Sequence, residues 1–588
     1  DYQMVDKYFD PIERYRSAEF NRDWNLSGIK GKANEHLISP GLGFSDKKYG
    51  NARYNAFYFN RDDGYEAFKN DFCGSLHLWG FTLDVNGSYL NSTDTLNKTR
   101  FLRHRASLSR EFSFVRLGIR EDAEDNRWTP TGSDSLTGSS YSYFQWEAFA
   151  ENNDTAKIRY FASYKNRKDY LPGEGALKYS ALGEDYQVGF DILTIPNNTI
   201  KTTLNYRKLT IKDSLLSTDK PENTLNGRLE HNLQLWKGAV TTATFYEIGS
   251  GLEVKQAFSY LEVAQGQGIY IWMDYNQNSV KELDEFEVAA FKDTANYIRV
   301  YVPSNEYIKT YSNQLNQTLT LRPRSVWHNK KGIRKLASRF SDQFAFRLQH
   351  KTSNDEFPGN INPFINAVND SSMMSMANSF RNTLSFNRTN AKFGMDYIVQ
   401  NNLSKTLMVN GIDTRIQKMH SLRFRWNIVK WLTLLDNIGL KEKAYDSEYF
   451  DSKNYDIDYL SNQATLRIQP NTKFRVSLEY KYADKKNTLG KEKAEENNLG
   501  TEIRYNIINK GNITARTNYI NYTYNADLNS SVAYTMLEGF QPGDNITWTI
   551  MYQRSLAGNL QMNLTYNGRT SEDSTPVHTG SVQLMAYF

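Results

Sequence analysis

The chain of 588 residues contains no long hydrophobic run. Its apolar stretches stop at a few residues, as in Val288-Ala289-Ala290-Phe291. A helix that crosses a bilayer needs roughly 20 apolar residues, so a helical membrane protein is excluded. Cysteine is nearly absent: Cys73 alone excludes an intramolecular disulfide and a thiolate metal centre. Charge of one sign is missing too, since 71 Lys and Arg face 66 Asp and Glu for a net +5, which gives nucleic acid no basic face to bind. The eight histidines (His36, His77, His104, His231, His328, His350, His420 and His578) stand singly. No HExxH, nucleophile elbow or phosphate loop occurs, so no catalytic residue is assigned and a non-enzymatic role is expected. The chain begins at Asp1 without a basic and apolar leader, so an export signal is expected to have been removed or to lie upstream.

What is abundant is aromatic: 39 Tyr, 32 Phe and 10 Trp, in a chain whose mean hydropathy is only −0.67. Aromatics in such number argue against disorder, and the lack of aliphatic runs argues against a string of globular domains. Period-two alternation reconciles the two. In Thr472–Asp484 the residues Phe474, Val476, Leu478, Tyr480 and Tyr482 alternate with Lys473, Arg475, Ser477, Glu479 and Lys481. Successive side chains of a strand point to opposite faces, so this segment needs an apolar medium on one side and water on the other. The pattern recurs in 157–165, 344–349, 421–429 and 560–566. A soluble sandwich also alternates, but its inner face favours Val, Leu and Ile, whereas here Tyr, Phe and Trp recur towards strand ends as in an aromatic girdle.

Short turn signals such as Lys237-Gly238 and Pro470-Asn471 separate some strands, and longer polar stretches separate others, including 126–140, 165–180, 213–223, 354–376 and 444–456. Short turns on one side and long loops on the other are the layout of outer-membrane barrels. The pattern predicts an all-β fold, a large antiparallel transmembrane β-barrel of the outer-membrane type with about 24–26 strands. Residues 1–45 are expected to be a lead-in segment, partly inside or below the barrel, and 46–588 the barrel itself. Near the C-terminus, Gln541–Asp544, Ala557–Asn559 and Gly568–Val577 do not sort cleanly into short and long connections. Arg475, Glu479, Lys481, Arg423 and Arg425 would face a lumen too wide for side chains to fill.

One ligand pattern stands out in the middle, within an insert at about 265–297. Over Asp274–Glu285, oxygen-bearing Asp274, Asn276, Asn278, Glu282 and Glu285 fall at positions 1, 3, 5, 9 and 12 of an EF-hand-type loop, with the Val280 carbonyl at position 7. Such a set suits a hard cation, so Ca2+ in a structural role is expected. The alternative is an acidic, solvated turn. Ser279 stands where such loops have glycine, and its backbone would need a positive φ.

The block Gly268-Ile269-Tyr270-Ile271-Trp272-Met273-Asp274 through Glu285-Phe286-Glu287, with 295–300 and 305–312, resembles large outer-membrane proteins of the Bacteroidota. So does Tyr15-Arg16-Ser17-Ala18-Glu19-Phe20-Asn21-Arg22-Asp23-Trp24-Asn25-Leu26. The closing segment Gly580–Phe588, apolar at alternate positions and ending in Phe, resembles the sorting signal of outer-membrane barrels. The resemblance implies an outer-membrane location, a barrel that is the C-terminal part of a longer chain, and partners among outer-membrane lipids, other outer-membrane proteins and surface lipoproteins. The resulting expectation is a scaffold or conduit subunit of a multi-protein envelope complex, serving protein transport or assembly. The alternatives are a nutrient uptake channel, either a diffusion porin or a receptor-type barrel, and an outer-membrane hydrolase.

Overall fold

The computed structural model describes residues 2–6, 17–26, 33–152, 157–193, 195–217, 221–353, 362–364, 372–408, 411–448, 450–507, 510–557, 559–572 and 574–586. Phe588 and Tyr15-Arg16 lie outside the described residues. Among those described, eleven strands of ten or more residues run from Gly50–Arg61 to Val240–Glu262 and thirteen from Tyr297–Leu321 to Val577–Ala586, 24 in all. Helices are few and short. The chain divides into two compact units, 1–230 and 231–588.

Within the first unit, consecutive strands from Gly50–Arg61 to Asn198–Ile211 pair antiparallel with their neighbours. Sheet pairing already begins upstream, where Asn34–Ile38 and Gly41–Asp46 both join Gly50–Arg61. The two-residue turn Trp79-Gly80 has φ of 54° and 79°. Both values are positive, as the right-handed strand twist asks of such a turn. Trp146, Tyr164, Tyr186 and Tyr206 stand in a row across four strands, with ring centroids 5.3, 4.8 and 6.2 Å apart. On the opposite face the short helix Ser17–Asp23 and Trp24 cover Phe59, Tyr65, Leu90 and Phe101 in a buried cluster. Polar contacts fix this segment to the wall: Arg103 Nη1 meets Asp23 Oδ1 at 2.6 Å, Arg22 Nη2 meets Glu124 Oε1 at 2.6 Å, and Asn25 donates to Asn126 at 2.9 Å.

The second unit is a continuous antiparallel meander from Val240–Glu262 and Tyr297–Leu321, which pair along their length, to Val577–Ala586. The faces divide as the alternation predicts. Leu478, Tyr480, Leu422, Trp426 and Ile428 are exposed. On the other face Arg475 pairs with Glu502, Lys481 with Glu496 and Arg516 with Glu479, at 2.9, 2.7 and 3.3 Å. Exposed apolar rows repeated on strand after strand would be a vast hydrophobic patch in water, where patches rarely exceed a few hundred Å². They are at home against lipid, so this is the wall of an outer-membrane barrel-type protein.

Several connections are shorter than the polar stretches suggest. Of 165–180, only 173–176 lies between strands, because Tyr170 and Tyr179 pair across the hairpin with rings 5.5 Å apart. Of 444–456, only 448–454 does, Tyr445 being opposite Tyr455. Strand ends that project past the hydrocarbon have water on both faces, so they pair without alternating. At the C-terminus the ambiguity resolves. Gly543–Ala557 passes to Leu560–Ser571 by a short connection, while 525–542 and 572–576 lie at the other strand ends.

Candidate functional site

Residues 263–296 form a lobe at the tip of the hairpin Val240–Glu262/Tyr297–Leu321, held together by the small ladder Tyr270–Trp272 with Phe286–Val288. Phe286 is buried, stacked on Tyr260 at 4.0 Å and edge-on to Tyr297 at 5.0 Å. That aromatic stack fixes the lobe's direction relative to its own hairpin.

A second segment meets the lobe. The helix Ser531–Met536 is capped by Ser530, whose side chain accepts from the Ala533 N–H at 3.1 Å. Its apolar side, Val532 and Met536, packs with Ile457, Ile520 and Tyr522 in a buried cluster on the inner face of the wall. Lys485, fully buried, donates to the Met536 carbonyl at 2.8 Å and meets Glu538 at 3.0 Å and Glu496 at 3.2 Å. Burial raises the Glu538 carboxyl, but Lys485 and Lys481 outweigh this and hold it below the ordinary glutamate value.

Glu287 is the hub between lobe and helix. Its carboxylate pairs with Lys453 at 3.1 Å and accepts from Ser531 Oγ at 2.8 Å and Tyr275 OH at 3.3 Å. Lys453 Nζ also donates to the Phe286 carbonyl at 3.1 Å. Tyr534 OH donates to the Val288 carbonyl and accepts from the Ala290 N–H, at 3.1 and 2.7 Å. Asn529 donates to the Tyr275 carbonyl at 2.6 Å, and Arg569 pairs with Asp293 at 2.5 Å. Burial, then the charge of Glu287, pushes the Tyr275 phenol up, and burial does the same to Tyr534. Under the lobe lies a cavity of about 990 Å³, floored by wall residues including Arg347, Asn402, Arg415 and Lys443 and roofed by Phe286, Phe291 and Tyr534.

The Asp274–Glu285 turn lies between the two strands of the lobe's small ladder. Ser279 has φ of 59°, the left-handed conformation that the glycine position of such a loop requires. Asp274 accepts from the Asn278 and Ser279 N–H groups at 3.1 and 2.9 Å, Asn278 Oδ1 accepts from Val280 N at 2.6 Å, and Asn276 donates to Glu282 at 2.7 Å. These four side chains gather at one turn, and Val280 is exposed beside them. Glu285 is buried: its Oε2 accepts from Trp272 Nε1 at 2.7 Å, while Oε1 has no hydrogen-bond partner. Among the described residues, no three His, Cys, Asp or Glu side chains converge as a metal-ion cluster. The turn thus supplies several oxygens, and the two glutamates are linked in a capping box, each side chain accepting from the other's backbone N–H.

Glu287, Lys453, Ser531 and Tyr534 carry no signal in the sequence. They come from three segments far apart in the chain, and each alone reads as an ordinary loop residue. Of the histidines, His420 and His578 are hydrogen-bonded to Tyr397 and Tyr566, both at 2.9 Å.

No family model matches the chain, and no curated protein does. Among solved structures, it aligns with the copper transporter OprC at 8% identity, over 91% of this chain and 79% of that one, with a TM-score of 0.30. It aligns with the FrpB iron transporter from Neisseria meningitidis at 8% identity, over 83% and 80%, with a TM-score of 0.33. The ferric-catecholate import receptor Fiu from E. coli K12 aligns at 8% identity, over 92% and 77%, with a TM-score of 0.27.

Proposed function

We propose that the chain is a non-enzymatic uptake conduit of the outer membrane, of the Bacteroidota type its sequence resembles, in which the 263–296 lobe is a lid over a solute chamber. The observation that carries this reading is the chamber itself. About 990 Å³ of space is lined by charged, amide and aromatic side chains and overhung by a lobe latched through Glu287, Lys453 and Tyr534. A scaffold for other envelope proteins has no use for a solute-sized, mixed-polarity space under its own latched lid, so uptake is preferred to the assembly role. Proteoliposomes holding the purified chain test it. Slow entry of sugars and organic acids by the wild type, faster when Lys453→Met loosens the latch, supports the conduit. Tight liposomes with both proteins, together with stable co-purification of surface lipoproteins, would favour the scaffold.

The lobe is further proposed to hold a structural Ca2+ through Asp274, Asn276, Asn278, Glu282, Glu285 and the Val280 carbonyl. The support is the oxygen set, the φ of Ser279 and the unpaired Oε1 of Glu285. Binding would draw Glu285 and Glu282 to one ion and stiffen the lid.

A further inference from the structure

The chamber floor carries an unusual pair of cations. Arg415 lies opposite Tyr445 on the neighbouring strand, and Lys443 lies opposite Gln417, so the two cations are diagonal neighbours on the same face. Side chains so placed, with Cα atoms about 7–8 Å apart, are within joint reach of one ligand group. Arg415 lies over the Tyr445 ring at 5.3 Å, and Lys443 faces the Tyr455 ring at 5.8 Å. Among the described residues neither has a carboxylate within salt-bridge distance, whereas Lys453, which lines the same chamber, pairs with Glu287. Of the four acids lining the chamber, Glu287 is taken by Lys453 and Glu538 by Lys485. Asp284 sits on the lobe, and Asp413 lies two residues from Arg415 along the same strand. Two cations on aromatic cushions and without acid partners leave this part of the floor positive, in a recess of the protein where charge is screened less than in bulk water.

The rest of the lining narrows the ligand. The rings of Tyr260 and Tyr270 line the same space, and the amides of Asn378, Asn402 and Gln417 offer donors and acceptors around it. Aromatic faces suit the apolar faces of sugar rings, amides suit hydroxyls, and a guanidinium beside an ammonium suits a carboxylate. We infer that the chamber binds an acidic saccharide, its carboxylate bridging Arg415 and Lys443 and its ring against the tyrosines. This deepens the uptake reading and rests on it for the ligand's route.

The test uses the full chain in detergent, titrated calorimetrically with trigalacturonate and with uncharged maltotriose, alongside flux of both sugars into proteoliposomes. The wild type is expected to bind trigalacturonate at least about tenfold more tightly than maltotriose, as a charge-assisted hydrogen bond warrants. Added salt is expected to weaken trigalacturonate binding and leave maltotriose unchanged. Lys443→Gln and Arg415→Gln, each shown to be folded by heat-modifiable electrophoresis, should each erase that preference. Equal binding of the two sugars, or a preference untouched by both variants, overturns the inference. Flux without anion preference would overturn the inference alone and leave the conduit standing. Trigalacturonate binding that is lost in both variants, with no flux of either sugar, would uphold the site and overturn the conduit.

Discussion

Replacing Lys453 by Met should release the lid without unfolding the wall. Lys453 Nζ is nearly buried and serves both Glu287 and the Phe286 carbonyl, each at 3.1 Å. Methionine fills a similar volume but leaves Glu287 charged and partly desolvated, with only Ser531 and Tyr275 to donate to it. Removing one partner of a buried pair costs about 3–5 kcal/mol, and the two remaining donors place this case near the low end, about 3 kcal/mol. Every 1.4 kcal/mol is a factor of ten, so opening of the lobe should become roughly a hundredfold more frequent. Hydrogen exchange reads this directly at the Ala290 amide of the lobe, which donates to Tyr534 OH across the latch. Amides of the wall strand Phe474–Asn487 should be unchanged. Adding Glu287→Gln to Lys453→Met should restore part of the protection, because it removes the stranded charge. Unchanged exchange in the lobe, or equal loss in lobe and wall, would refute the latch.

Other expectations follow from the same contacts. Glu538 titrates below its ordinary value of 4.5, so its contribution to docking of 525–542 is complete above that pH and is lost as pH falls through the lower folded value. Pepsin cleavage within 525–542 should therefore rise below pH 4.5 in the wild type, and Glu538→Gln should show the weaker docking at every pH. A Cβ on Gly189 would meet the Phe161 ring at 1.8 Å, so Gly189→Val should destabilise the first unit by about 1–3 kcal/mol, seen as a lower urea midpoint, and Phe161→Ala should relieve it. Millimolar Ca2+ should slow proteolysis of the 263–296 lobe relative to chelator, and Glu285→Gln should remove the difference. Equal rates in Ca2+ and chelator would leave the turn as a solvated acidic loop.

The wall was legible because lipid imposes period two. Leu478 and Tyr480 had to differ from Glu479 and Lys481, and the structure puts them on opposite faces. Where strands leave the hydrocarbon the rule lapses, so Tyr170 and Tyr179 pair in a stretch that reads as loop. Cross-strand pairing of this kind depends on a partner that hydropathy does not reveal. The Asp274–Glu285 turn was legible as a local pattern of oxygens, including the strained backbone at Ser279. The latch and the chamber were not. Glu287, Lys453 and Tyr534 meet only after the meander has folded, and Arg415 and Lys443 become a pair only through register.

The most direct measurement is solute flux into proteoliposomes carrying the wild type or Lys453→Met. A latched chamber predicts slow entry of small sugars and organic acids for the wild type and severalfold faster entry once the lid is loosened. Liposomes equally tight with both proteins would contradict a lidded conduit.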